Sequence, residues 1–183
     1  MNEKKHLTTE ETFALAVKNH QKNNFKDAQI FYKKILNINP DHFKSIFLLG
    51  TLSAQTKNFD QAKQLLQKAI QINPNYAEAH NNLGNVLVEL EEFEKAESYY
   101  EKAIKINPNY AEAHNNLGAV FNQLGEFEKA ISCYEKAIKI NPNYAGAHNN
   151  LGIALKGLGE FEKAISCYEK AIEINPNNAE ANN

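Results

Sequence analysis

The chain has 183 residues, 23% charged and 43% hydrophobic, proportions of a soluble folded protein that exclude wholesale disorder. A formal net charge of -2 and the lack of a basic stripe argue against nucleic-acid binding and against a polybasic membrane anchor. The opening Met1-Asn2-Glu3-Lys4-Lys5-His6 is polar with no apolar run behind it, and no segment approaches the roughly 18–20 apolar residues that span a bilayer, so a cytoplasmic protein is expected.

Repetition organises the rest of the chain. Prolines fall at Pro40, Pro74, Pro108, Pro142 and Pro176, always 34 residues apart and always in the phrase Ile-Asn-Pro. With proline at position 32 of each unit, the repeats run 9–42, 43–76, 77–110, 111–144 and 145–178. A short segment, 1–8, precedes them and is expected to be flexible.

In chain order, the first repeat keeps Leu15, Ala16, Ala28, Tyr32 and Pro40. It carries Thr12, Asn19 and Lys22 where the other units are typically apolar, which predicts a polar outer face on a terminal unit. The second repeat keeps Leu49, Gly50, Ala62, Leu66, Ala69 and Pro74. The third begins with Asn75 and Glu78, spaced as a helix capping box, and the fourth with Asn109 and Glu112.

In the fourth repeat Ala113, Leu117, Val120, Phe121 and Leu124 share one helical face. Gly125 supplies the left-handed residue that ends such a helix. A second helix follows through Phe127, Ala130, Tyr134, Ala137, Ile138 and Ile140, and Pro142 blocks its continuation. Gly84, Gly118 and Gly152, with Ala96, Ala130 and Ala164, are expected to let paired helices approach closely, while Tyr134 and Phe127 fill the space between neighbouring units.

After Pro176 the chain reads Asn177-Asn178-Ala179-Glu180-Ala181-Asn182-Asn183, with 179–183 copying the start of a sixth unit and Asn177/Glu180 repeating the capping pair. No closing helix follows in this sequence. The face bearing Phe161, Tyr168 and Ile172 is therefore expected to be exposed, which points to a fragment of a longer chain or to self-association.

The pattern resembles the tetratricopeptide repeat, read as Trp-x2-Leu-Gly-x2-Tyr, then Ala-x3-Phe, then Pro. Repeats three to five match at His80/114/148, Leu83/117/151, Gly84/118/152, Ala96/130/164, Tyr100/134/168, Ala103/137/171 and Pro108/142/176, with histidine in place of tryptophan. The resemblance covers 9–178 and implies an all-α, right-handed α-solenoid of five helix–turn–helix repeats, in which stacking supplies the core that no single repeat can build.

Candidate chemistry is sparse. Equivalent positions in stacked units are at least the 8–10 Å that separates packed helices, too far for His80, His114 and His148 to converge on an ion that wants ligands at about 2.0–2.1 Å. The same spacing separates Cys133 from Cys167, beyond disulfide reach. The series Glu126, Glu128, Lys129 and Glu160, Glu162, Lys163 has ordinary ion-pair spacing. No nucleophile–base pair and no phosphate loop is visible, so no enzyme, no cofactor and no metal are expected.

The remaining signal is asparagine. Asn81-Asn82, Asn115-Asn116 and Asn149-Asn150 each stand directly before Leu-Gly. In the resembled family the first helices line a concave surface, which would place Asn82, Asn116 and Asn150 in a row along it. That row is similar to the asparagine ladder of the O-linked N-acetylglucosamine transferase repeats, which hold extended peptides by their backbone. A carboxamide offers both donor and acceptor, matching a peptide backbone of any sequence. The plain alternative is a polar surface copied by duplication.

On the same geometry Phe13, Val17, Phe47, Leu48 and Thr51 make one end of the groove apolar, with helix packing as the alternative role for Phe13 and Phe47. Asn85, Glu89, Glu112, Asn122, Gln123 and Lys156 make the rest polar. The family's carboxylate clamp needs cations where this chain has Phe13, Val17, Leu48, Glu78 and Asn82, or Asn81, Asn85, Asn116, Gly146 and Asn150, so that mode is not expected.

The sequence thus points to a protein–protein interaction module whose partner is a protein or peptide, not a nucleic acid or a membrane. Two alternatives stay open: the substrate-recruiting arm of a larger transferase, and a structural scaffold that self-associates through its last repeat.

Overall fold

The turn after each proline positions everything else. In the computed structural model, which describes residues 7–176, the asparagine of each Ile-Asn-Pro caps the end of a helix, and in the first four it folds its own side chain back. Asn39, Asn73, Asn107 and Asn141 each accept on Oδ1 the amide hydrogen two residues later, from Asp41, Asn75, Asn109 and Asn143, at 3.2–3.3 Å. Asn75 and Asn109 therefore belong to the turn. The helix caps that follow are Tyr76 and Tyr110, which make no side-chain cap bond, so the expected Asn75/Glu78 and Asn109/Glu112 boxes do not form. A capping box does form at Thr8 and Glu11.

Ten helices form among the described residues: α1 (Thr9–Gln21), α2 (Phe25–Ile38), α3 (Phe43–Gln55), α4 (Phe59–Ile72), α5 (Ala77–Glu89), α6 (Phe93–Ile106), α7 (Ala111–Gln123), α8 (Phe127–Ile140), α9 (Ala145–Gly157) and α10 (Phe161–Ile174). The fold is all-α and built of tandem helix–turn–helix repeats of the solenoid class. The expected flexible segment 1–8 lies mostly, and the sixth-unit start at 179–183 and its Asn177/Glu180 pair wholly, outside the described residues.

Within each repeat the first helix ends on a left-handed residue: Asn23, Lys57, Glu91, Gly125 and Gly159, with φ of 59–80°. The next amide then returns to a carbonyl five residues back, as from Glu126 to Phe121 at 2.8 Å and from Glu160 to Leu155 at 2.9 Å. Gly125 has the expected role, and three repeats perform the same turn without glycine.

The chain divides into two compact units, one running to Leu90 and the other from Glu91. In the first, α3 packs on α2 and α4, and α5 packs on α4 and along α3. Ala16, Ala28, Tyr32, Leu49 and Leu52 are buried together, and Ile46, Ala69 and Ala79 form a second cluster. Thr12 is buried in this unit, its hydroxyl donating to the Thr8 carbonyl at 2.7 Å, and Asn19 donates to the Leu15 carbonyl. Only Lys22 of the three expected outer polar positions is exposed, because the other two satisfy their polar atoms on their own helix.

In the second unit α7 packs on α6 and α8, and α9 on α8 and α10. Close approach within a hairpin is set by glycine. A Cβ at Gly118 would lie 2.7 Å from the Tyr134 ring, and one at Gly152 would lie 2.5 Å from Tyr168. Tyr134 thus fills its own hairpin, whereas Phe127 does reach the next repeat, where its ring lies against Gly157. The expectation that both fill inter-repeat space holds only for Phe127.

Candidate functional site

The first helices of the first unit, α1, α3 and α5, carry two adjoining recesses. One, about 410 Å³, is lined by Val17, His20, Tyr32, Leu48, Thr51 and Gln55, among others. The next, about 250 Å³, is lined by Ala54, Gln55, Lys57, Phe59, Asn85, Val86 and Glu89. Gln55 lies on both, so they adjoin.

Fixed hydrogen bonds hold the walls. His20 spans three helices, meeting the Tyr32 hydroxyl at 3.3 Å and the Gln55 side-chain carbonyl at 2.8 Å. Thr51 donates to the Phe47 carbonyl at 3.1 Å and accepts Nδ2 of Asn82 at 3.2 Å. That bond turns the Asn82 amide group and uses one donor, leaving its Oδ1 as an acceptor. Burial pushes the Tyr32 phenol up to about 12, so it stays a neutral hydroxyl.

The predicted site residues separate by burial. Asn82, Asn116 and Asn150 are half-buried at the surface, and Asn85 and Asn149 are exposed. Asn81 and Asn115 are buried, 4% and 8% exposed, and so face protein rather than solvent. In the second unit Asn150 donates to Asn115 at 3.1 Å, and Asn115 donates to Asn116 at 3.4 Å. Phe13 packs 6.2 Å from Tyr32 and 5.4 Å from His42. Phe47 stacks on Phe43 and meets Tyr76 edge-on at 5.0 Å. Both are half-buried helix-packing rings, and neither lines the two recesses.

Sequence reasoning passed over His20, Gln55, Lys57 and Phe59. His20 and Gln55 occupy inward positions of the family frame already applied to Val17 and Thr51, so that signal was present. Nothing in the pattern marks Lys57 or Phe59.

The periodic histidines are latches. Nε2 of His80, His114 and His148 reaches the carbonyl of Pro74, Pro108 and Pro142 at 2.9, 3.1 and 3.0 Å, fastening each first helix to the turn before it. No group of three or more His, Cys, Asp or Glu among the described residues is placed to hold a metal ion. Cys133 and Cys167 are free thiols, both raised chiefly by burial. Glu126–Lys129 and Glu160–Lys163 pair along the solvated faces of α8 and α10. No described helix is long and apolar enough to cross a membrane.

Comparison with known proteins agrees with this architecture. A family model described as tetratricopeptide repeat matches residues 77–110, 111–144 and 145–178, and a second, described as TPR repeat, matches 50–91. Two crystal structures of MamA are similar to the chain. One is 30% identical with TM-score 0.79, covering 94% of each chain; the other is 31% identical with TM-score 0.80, covering 91% of this chain and 97% of that one. YrrB, described as a TPR protein with an unusual peptide-binding site, is 25% identical with TM-score 0.73, over 92% of this chain and 87% of its own. No curated protein sequence matches the chain.

Proposed function

The chain belongs to the tetratricopeptide repeat family, and on that premise we propose that it binds other proteins by holding an extended segment along the inner face of its first helices. The observation that carries this reading is the pair of recesses sharing Gln55, one of them lined by Thr51, which holds Asn82 by a hydrogen bond. Apolar walls at Val17 and Leu48 suit a side chain of the segment. The Asn82 carboxamide oxygen suits a backbone N–H of whatever residue follows. Affinity then depends little on sequence, and selectivity comes from the recesses. The peptide-binding site named for YrrB supports the same reading, since that chain shares this fold at 25% identity. Asn116 and Asn150 would serve the second unit in the same way.

The test begins with a peptide selected from a random library displayed on phage. Its affinity is measured for the parent chain and for a Thr51→Val, Asn82→Ala, Gln55→Ala triple variant whose helicity and melting are checked. About a tenfold loss or more is expected, equivalent to about 1.4 kcal/mol. Equal affinity would refute the inner-face reading.

A further inference from the structure

The two recesses of the first unit differ in charge. Lys57 and Glu89 both line the smaller one. The larger one, walled by Val17 and Leu48, has no lysine, arginine or carboxylate in its lining. A charged guest side chain would lose its water there and meet no counter-charge, so the larger recess suits an uncharged one.

Its polar groups have a set direction. The phenol of Tyr32 is buried and stays protonated, raised to about 12 by that burial. Its hydroxyl lies 3.3 Å from Nδ1 of His20, and Nε2 of His20 lies 2.8 Å from Oε1 of Gln55. A carboxamide oxygen only accepts, so Nε2 carries the hydrogen. The uncharged ring then has its lone pair on Nδ1, and the Tyr32 hydroxyl donates to it. Phe25 and Tyr32 both meet the His20 ring near edge-on at 6.0 Å, with interplanar angles of 81° and 77°, which holds the ring in this orientation.

The relay ends at Gln55. Its oxygen is taken by His20, and no described residue accepts from its Nε2. Gln55 is exposed and lines both recesses, so what it offers a guest is a donor. An unaided glutamine presents donor or acceptor by turning its amide. His20 removes that choice.

We propose that the larger recess takes a side chain with an apolar body and an acceptor at its tip, tyrosine in preference to phenylalanine, and that Gln55 reads the difference. His20 acts as a positioning residue for Gln55. This assignment rests on the inner-face reading and adds the class of residue that the recess takes. Val17 and Leu48 suit the aromatic body, and the guest hydroxyl accepts from Nε2 of Gln55. Phenylalanine in its place covers that amide without giving it a partner, which is how a polar wall rejects an apolar guest.

The experiment starts from the peptides that a random phage-displayed library yields on the parent chain. Tyrosine should be enriched over phenylalanine at one position. A selected peptide, and its counterpart with phenylalanine in place of that tyrosine, are titrated into the parent and into Gln55→Leu and His20→Leu variants with checked helicity and melting. The tyrosine peptide should bind the parent about tenfold more tightly, and each variant with about a twofold advantage or less. General loosening of the fold would lower both affinities and leave their ratio alone. Equal affinity of the two peptides for the parent, or the full advantage kept by Gln55→Leu, would overturn the proposal. The Thr51→Val, Asn82→Ala variant separates it from the reading beneath. If that variant loses the peptide while the parent treats both peptides alike, the recess assignment alone falls. If it binds the peptide as tightly as the parent does, the inner-face reading falls and takes this proposal with it.

Discussion

Asn150 of α9 donates from Nδ2 to Oδ1 of Asn115 in α7 at 3.1 Å, so the second asparagine of one repeat rests on the buried first asparagine of the repeat before it. The paired asparagines therefore divide their work. Asn115, 8% exposed, is a structural acceptor inside the second unit, and Asn150 is the half-exposed member held in place by it.

Replacing Asn115 by alanine should cost about 1–3 kcal/mol, because it removes a buried partner and leaves the Nδ2 of Asn150 without its acceptor. Replacing the exposed Asn149 should change stability by less than about 0.5 kcal/mol. Urea denaturation of the two variants checks this, and equal effects would contradict the division.

The period of 34 residues made the hairpins legible, since proline and the two apolar stripes recur in register. Side-chain destinations were less legible. Asn75 and Glu78 have capping-box spacing, but the Asn73 side chain claims the Asn75 amide first and shifts the cap to Tyr76. Thr12 looks like a surface residue until its hydroxyl bonds Thr8 and lets it be buried. Asn115 is buried beside the half-exposed Asn116, where it meets Asn150 of the following repeat, and adjacent identical letters cannot report that.

Gly118→Ala should destabilise the chain by about 1–3 kcal/mol through overpacking against Tyr134. The cost should fall at the low end of that range. The first repeat has Ala16 at the same position, fully buried with Tyr32, so a hairpin can adjust to the added methyl.

Lys57 sits at φ 59°, doing the turn that Gly125 and Gly159 perform in later repeats. Lys57→Gly should therefore stabilise the chain by about 1 kcal/mol, the left-handed strain of a residue with a Cβ. Gly125→Ala, at φ 76° with no atom within 4 Å of the added Cβ, should destabilise by a similar amount through backbone strain alone. Thermal melts of the two variants should move in opposite directions.

Burial pushes the phenols of Tyr32, Tyr100 and Tyr134 upward, Tyr32 to about 12. The folded chain then holds these protons more tightly than the unfolded chain, whose tyrosines titrate near pH 10. Stability from the neutral phenols is complete below about pH 10 and is lost as pH rises toward 12. The urea midpoint should fall across that window, and less steeply in Tyr134→Phe. A rising midpoint would contradict the assignment.

The inner-face account is tested most directly by amide NMR of the labelled chain, titrated with a library-selected peptide. Shifts should concentrate at Val17, Leu48, Thr51, Gln55, Asn82 and Asn85, with α2 and α4 unmoved except around Tyr32 and Phe59, which line the recesses. Shifts confined to those second helices, with the residues around Gln55 silent, would contradict it.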